Sequence, residues 1–131
     1  MLFSKDAPGE NLIVRGARIL DPAQGVDTVA DVRVDDGVIA ALGTDLEPNA
    51  HRVVDADGLL LAPAFVDPHV HLRTPGREDE ETIASGTAAA AAGGYCAILA
   101  MPNTDPVVDS RATLGSLVDA LRRVDGATFE D

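Results

Sequence analysis

The stretch GLLLAPAFVDPHVHLRTPGREDEETIASGTAAAAAGGYCAILAMPNTDPVVDS (58–110) decides how this chain is read. Its β-rich run FVDPHVHL (65–72) leads through an acidic loop into the helix-forming TIASGTAAAAA (82–92), which stops at Gly93-Gly94. Glycine ends helices because it takes the left-handed conformation of a C-terminal cap without strain. The apolar run YCAILAM (95–101) then has the character of a strand buried on both faces of a parallel sheet. Small apolar residues at 84, 88 and 91 predict the packing face of the first helix. Ser110 to Val124 predicts a second, with Leu114, Leu117, Val118 and Leu121 at helical spacing and Asp109 or Ser110 as cap. Strand, helix, strand, helix is the start of an α/β architecture.

Upstream of Pro63 the pattern is different. LIVRGARIL (12–20) precedes the turn formers Asp21 and Pro22. DVRV (31–34) and VIAALG (38–43) flank Asp35-Asp36-Gly37, a hairpin signature because Asp-Gly tolerates the positive φ of a tight turn. RVVDADG (52–58) and LLLAPAF (59–65) read as strand, turn, strand. This region is expected to form a small antiparallel β-sandwich or part of one. Two domains are therefore predicted, 1–62 and 63–131. A closed eight-fold βα barrel needs about 200 residues or more, so two βα units would leave unpaired strand edges. The expectation is a fragment, or a chain completed by strands from elsewhere, inactive and marginally folded when alone.

Bulk properties narrow the function. The formal net charge of −12 opposes nucleic acid and anionic membrane surfaces as partners. No apolar run approaches the ~20 residues of a membrane span, and MLFSKDAPGEN carries no secretory apolar segment. Cys96 is the only cysteine, so no disulfide forms within the chain, and its apolar neighbours predict a buried thiol. A cytoplasmic location is expected by default. The apolar residues lean on alanine, which buries little area and predicts a thin core.

The chemistry concentrates in Asp67-Pro68-His69-Val70-His71-Leu72-Arg73. On a strand, alternate side chains share a face, so Asp67, His69, His71 and Arg73 are expected on one side and Val70 and Leu72 on the other. Two imidazoles two residues apart can grip one metal ion, most commonly zinc, although manganese, iron or cobalt also suit them. The bland alternative is an ordinary pair of strand histidines, and for a bare His-x-His it is the commoner outcome. The position of the pair, closing an apolar strand before a Pro-Gly loop, favours the metal. Arg73 can clamp a carboxylate bidentately, or pair with an acidic residue at 78–81. Asn103, in Met101-Pro102-Asn103-Thr104, can present its amide to a substrate or serve as a turn residue between Pro102 and Pro106. Asp67 can orient a histidine. His51 reads as a surface residue.

These residues resemble the dihydroorotase branch of the amidohydrolase superfamily. His69-x-His71, Leu72-Arg73-x-Pro75-Gly76, the helix TIASGTAAAAAGG and Met101-Pro102-Asn103-Thr104 match in order and spacing. The β-rich opening resembles that superfamily's small sandwich domain. One departure is Ala64, where glycine is usual. The resemblance implies a TIM-like barrel of which this chain holds the first two βα units. It implies one or two divalent metals, zinc foremost, and reversible interconversion of N-carbamoyl-L-aspartate and L-dihydroorotate in pyrimidine synthesis. His69 and His71 would ligate metal, His71, Arg73 and Asn103 would contact substrate, and Asp67 would support the ligands. The metal would activate water for attack on the ring amide. The proton-shuttling carboxylate, the bridging ligand and two further histidines lie later in the family's sequences than residue 131.

Two other readings compete. Hydantoinases, dihydropyrimidinases and allantoinases share the His-x-His strand and the alanine-rich helix, but do not generally combine Leu72-Arg73 with the Met-Pro-Asn-Thr segment. A non-catalytic dihydroorotase-like subunit could support a partner such as aspartate transcarbamoylase. Retention of both histidines and Arg73 argues against a member that has lost its metal. A homo-oligomer is the other assembly expected.

Overall fold

The computed structural model describes residues 9–124, which belong to two compact units, Ala7–Pro63 and a second beginning at Ala64. In the first unit β1 (Leu12–Asp21) and β2 (Val26–Asp35) form an antiparallel hairpin, and β3 (Val38–Gly43) pairs antiparallel with the far side of β2. The β2–β3 reversal uses the expected Asp-Gly pair, with Asp36 at φ 51° and Gly37 at φ 78°.

The strands expected here as an antiparallel sandwich or part of one are not all antiparallel. β4 (Arg52–Asp55) and β5 (Leu60–Leu61) both run parallel to β1, so the strands form one five-stranded mixed sheet, and no second sheet faces it among the described residues of this unit. No hairpin joins β3 to β4. The connection 44–51 carries the chain across to the free edge of β1, and a strand reached by a crossover can run parallel. Two strand boundaries also differ from expectation. β2 starts at Val26, where polar Asp27 hides the strand from a hydrophobicity reading. Asp27 instead takes two 2.8 Å hydrogen bonds from the Arg18 guanidinium across the hairpin. LLLAPAF does not run as one strand, because Pro63 has no N–H for a ladder and biases the residue before it.

The core of this sheet is small, as the alanine content predicts. Ile13, Ala17, Ile19, Ala30 and Val32 are buried. Among them sits Asp31, a buried carboxylate that sequence reasoning missed. It accepts backbone N–H bonds from Gly16 at 2.9 Å and Leu46 at 3.0 Å. Gly16, at φ 73°, lies in the register break between Val14 and Ala17, so its N–H is withdrawn from the ladder and needs this partner. His51 is not a free surface residue. Its side chain is 16% exposed, with Nδ1 3.0 Å from the Pro48 carbonyl and Nε2 2.5 Å from Asp35 Oδ1. The hydrogen bond from His51 is the main reason the Asp35 carboxyl is held below the usual carboxylate range, with the Arg33 charge assisting.

In the second unit β6 (Phe65–Val70) and β7 (Tyr95–Ala100) pair in parallel, connected by α1 (Ile83–Ala92) and followed by α2 (Arg111–Leu121). Both helices start in a capping box, Thr82 with Ser85 and Ser110 with Thr113. The buried face of α1 is Ile83, Gly86 and Thr87, not the 84/88/91 face expected. A helix that is mostly alanine has almost no apolar asymmetry to read. Its rotation is set by the close approach at Gly86, where an added Cβ would lie 2.7 Å from Leu72 Cδ2. Strand β7 is not enclosed on both faces among the described residues. Cys96 is only half-buried and Leu99 is 53% exposed. The βαβα order is as expected, and no closed barrel occurs among the described residues.

Candidate metal and substrate site

Parallel strands end on the same side of their sheet, so the loops that follow them meet there. The loop after β6 and the loop after β7 are joined by Met101 N–H to the Val70 carbonyl at 2.8 Å and Asp105 N–H to the Pro75 carbonyl at 3.1 Å. Gly76 makes the second junction possible. It sits at φ 109°, and a Cβ there would land on the Asp105 carbonyl oxygen.

His69 lies in β6 and His71 one residue past its end. Their rings are 5.0 Å apart between centroids, inclined at 64°. His69, His71 and Arg73 are all exposed while Val70 and Leu72 are half-buried, so the two-residue alternation persists beyond the strand.

Asp67 departs from that alternation. Asp67 pairs with Ile98 and Val70 with Ala100, so three steps along β6 match two along β7. The extra residue falls at Pro68-His69, where proline offers no ladder donor. Asp67 is thereby brought into phase with Val70 instead of with His69. Its Oδ1 accepts the backbone N–H of His69 at 3.0 Å, so it braces the backbone of the first histidine and not an imidazole.

Arg73 Nε is 3.7 Å from Glu80 Oε2, both side chains being about half exposed, and Glu80 is also held by Arg77. The acidic pairing left open by the sequence is thus the one adopted here. Asn103 Oδ1 lies 2.8 Å from His71 Nδ1. Glu81 was hidden within the acidic run 78–81. One of its carboxylate oxygens, Oε1, is buried without a hydrogen-bond partner. It borders a cavity of about 220 Å³ lined in part by Asp67, Val70, His71, Leu72 and Ile98. No periodic or motif signal would have singled it out.

The two imidazoles suit two positions of a metal shell. No cluster of three or more histidine, cysteine or carboxylate groups close enough for a metal occurs among the described residues, and a hydrolytic zinc site uses three protein ligands plus water. No described helix is long and apolar enough to cross a membrane.

The sequence model of the dihydro-orotase-like family matches residues 58–128. A dihydroorotase of Geobacter sulfurreducens is 49% identical over 109 residues, covering 82% of this chain and 26% of the relative. A dihydroorotase of Citrifermentans bemidjiense is 46% identical over 110 residues, covering 83% and 26%. The chain thus spans about a quarter of the length of the curated relatives it matches. Among solved structures, an L-hydantoinase (dihydropyrimidinase) from Arthrobacter aurescens superposes with a TM-score of 0.72 at 28% identity, covering 88% of this chain and 26% of that one. A D-hydantoinase gives 0.70 at 27% identity, covering 85% and 24%.

Proposed function

This chain belongs to the dihydro-orotase-like family, and from that premise we propose that it contributes the first metal-ligand strand and two substrate-facing loops of a dihydroorotase. The reaction would be the reversible closure of N-carbamoyl-L-aspartate to L-dihydroorotate. The observation that carries the reading is the His69–His71 pair, two exposed imidazoles 5.0 Å apart at the end of a parallel strand. His69 and His71 would hold a divalent ion, zinc by preference for two imidazoles. When bound, that ion would polarise the amide carbonyl and lower the pKa of water. Arg73 would exchange its partner Glu80, which lies at 3.7 Å and is half exposed, for a carboxylate of the substrate. Asn103 would donate from its amide to the same anion. Asp67 would hold the backbone at His69, and so fix the angle at which that imidazole leaves the strand. No carboxylate of this chain is assigned to proton transfer.

Hydantoinase-type chemistry is the second reading, favoured by the solved structures that superpose on this chain. The higher identity to dihydroorotases weighs against it. The test is to express the protein from its complete gene, load it with zinc, and assay ring closure of N-carbamoyl-L-aspartate beside ring opening of an unsubstituted hydantoin. Turnover of the first alone is expected. Turnover of the hydantoin alone would move the protein to the sister activity, and zinc binding without turnover of either would make it a scaffold.

A further inference from the structure

We propose that Asn103 is a positioning residue for His71, fixing the tautomer that leaves Nε2 free to bind metal, and so ties metal ligation to substrate recognition through one amide. The inference rests on the reading of His69 and His71 as a metal pair. The two residues follow different strands, His71 directly after β6 and Asn103 in the loop after β7, and are 32 positions apart, with Asn103 Oδ1 2.8 Å from His71 Nδ1. The loop carrying Asn103 is not free to drift. Met101 is bonded to Val70, the residue before His71, and the Thr104 and Val108 N–H groups both bond to the Pro102 carbonyl at 2.9 and 3.0 Å.

An amide oxygen only accepts, so this contact requires the proton on Nδ1 and leaves the lone pair on Nε2. The opposite amide orientation would donate to Nδ1, put the proton on Nε2, and remove the outward lone pair. Metal ligation through Nε2 and the Oδ1-to-Nδ1 orientation therefore stand or fall together. With Oδ1 committed to His71, the two N–H donors of the same amide remain for an anionic substrate. A substrate that engages them must find the amide already oriented by the histidine.

The experiment uses the protein expressed from its complete gene, metal-free and labelled with ¹⁵N-histidine, together with competition titration by zinc alone. The wild type should show His71 protonated on Nδ1 and not on Nε2. Asn103→Leu should lose that preference and bind zinc about 10- to 100-fold more weakly, the usual effect of removing a partner that orients a ligand. Asn103→Asp keeps the acceptor and should retain both the Nδ1 proton and the zinc affinity. It should nevertheless bind N-carbamoyl-L-aspartate poorly, because a carboxylate now faces the substrate's own. An Nε2-protonated His71 in the wild type would overturn the proposal. So would an Asn103→Asp variant as weak for zinc as Asn103→Leu, since the loss would then belong to the loop's fold. Unchanged zinc affinity in Asn103→Leu alone would overturn the proposal while leaving the metal reading standing. Unchanged affinity in His69→Ala and His71→Ala would overturn the metal reading and the proposal with it.

Discussion

Asp31 supports its sheet by accepting two backbone N–H groups that no strand can satisfy. Asp31→Ala strands both donors, and an unmet buried donor costs about 1–3 kcal/mol. A loss of about 2 kcal/mol is expected in urea unfolding, read from strand circular dichroism. Asp35 contributes to acid tolerance. Its folded-state pKa is depressed, chiefly by the hydrogen bond from His51, so it adds stability above the ordinary carboxylate value of about 3.9. That contribution fades as the pH falls from there through the lower folded value. His51→Ala removes the main cause, and acid unfolding should then set in at a higher pH. The midpoint of an acid titration followed by circular dichroism measures the direction of that change. At Arg73, methionine keeps the length of the side chain and removes its charge. Arg73→Met should bind N-carbamoyl-L-aspartate at least about tenfold more weakly, the cost of a lost charge-assisted pair, with zinc affinity unchanged. Isothermal titration with each ligand separates the two.

The decisive element for the site is the junction of two loops at the ends of β6 and β7. Gly76 occupies a conformation and a space that only glycine fills, against the Asp105 carbonyl. Gly76→Ala must therefore open the Pro75–Asp105 bond, at a cost of about 1–3 kcal/mol for the strained backbone. It should also weaken substrate binding, because Arg73 and Asn103 lie on the two loops being parted. Hydrogen exchange at Asp105 N–H reports the opening directly, and unchanged protection there would refute this role for Gly76. The element order was legible from spacing and glycine stops, and the start of α2 from its cap. The rotation of α1 was not, because a helix of alanines buries whichever face its neighbours allow, and here Gly86 admits Leu72. The displacement of Asp67 from the histidine face was half legible. Pro68 announces a ladder defect, but only the pairing with β7 shows on which side of it the alternation resumes.

At the scale of the whole molecule, each unit exposes large apolar side chains, Val38, Ile39 and Leu42 in one and Phe65, Val66 and Leu99 in the other. Such patches favour association, while a net charge of −12 opposes it. Salt screens the repulsion, with a Debye length falling from about 10 Å at 0.1 M to about 3 Å at 1 M, and leaves the apolar attraction intact. Self-association of the 131-residue chain should therefore increase with sodium chloride. Sedimentation velocity across that range checks it, and a monomer at every salt concentration would refute it.

The sequence by itself determined the alternation of elements, the glycines at the turns, the pairing of two imidazoles on one face, and membership in the family. All of these depend on near neighbours, on backbone conformations only certain residues adopt, or on spacing along one strand. Tertiary structure alone decided the parallel return of β4 beside β1, the burial of Asp31, the clasp of His51 on Asp35, and the bond between Asn103 and His71. Each joins residues 15 or more positions apart. Their partners are chosen by crossovers and by unmet hydrogen-bonding groups, and neither leaves a periodic trace in the chain.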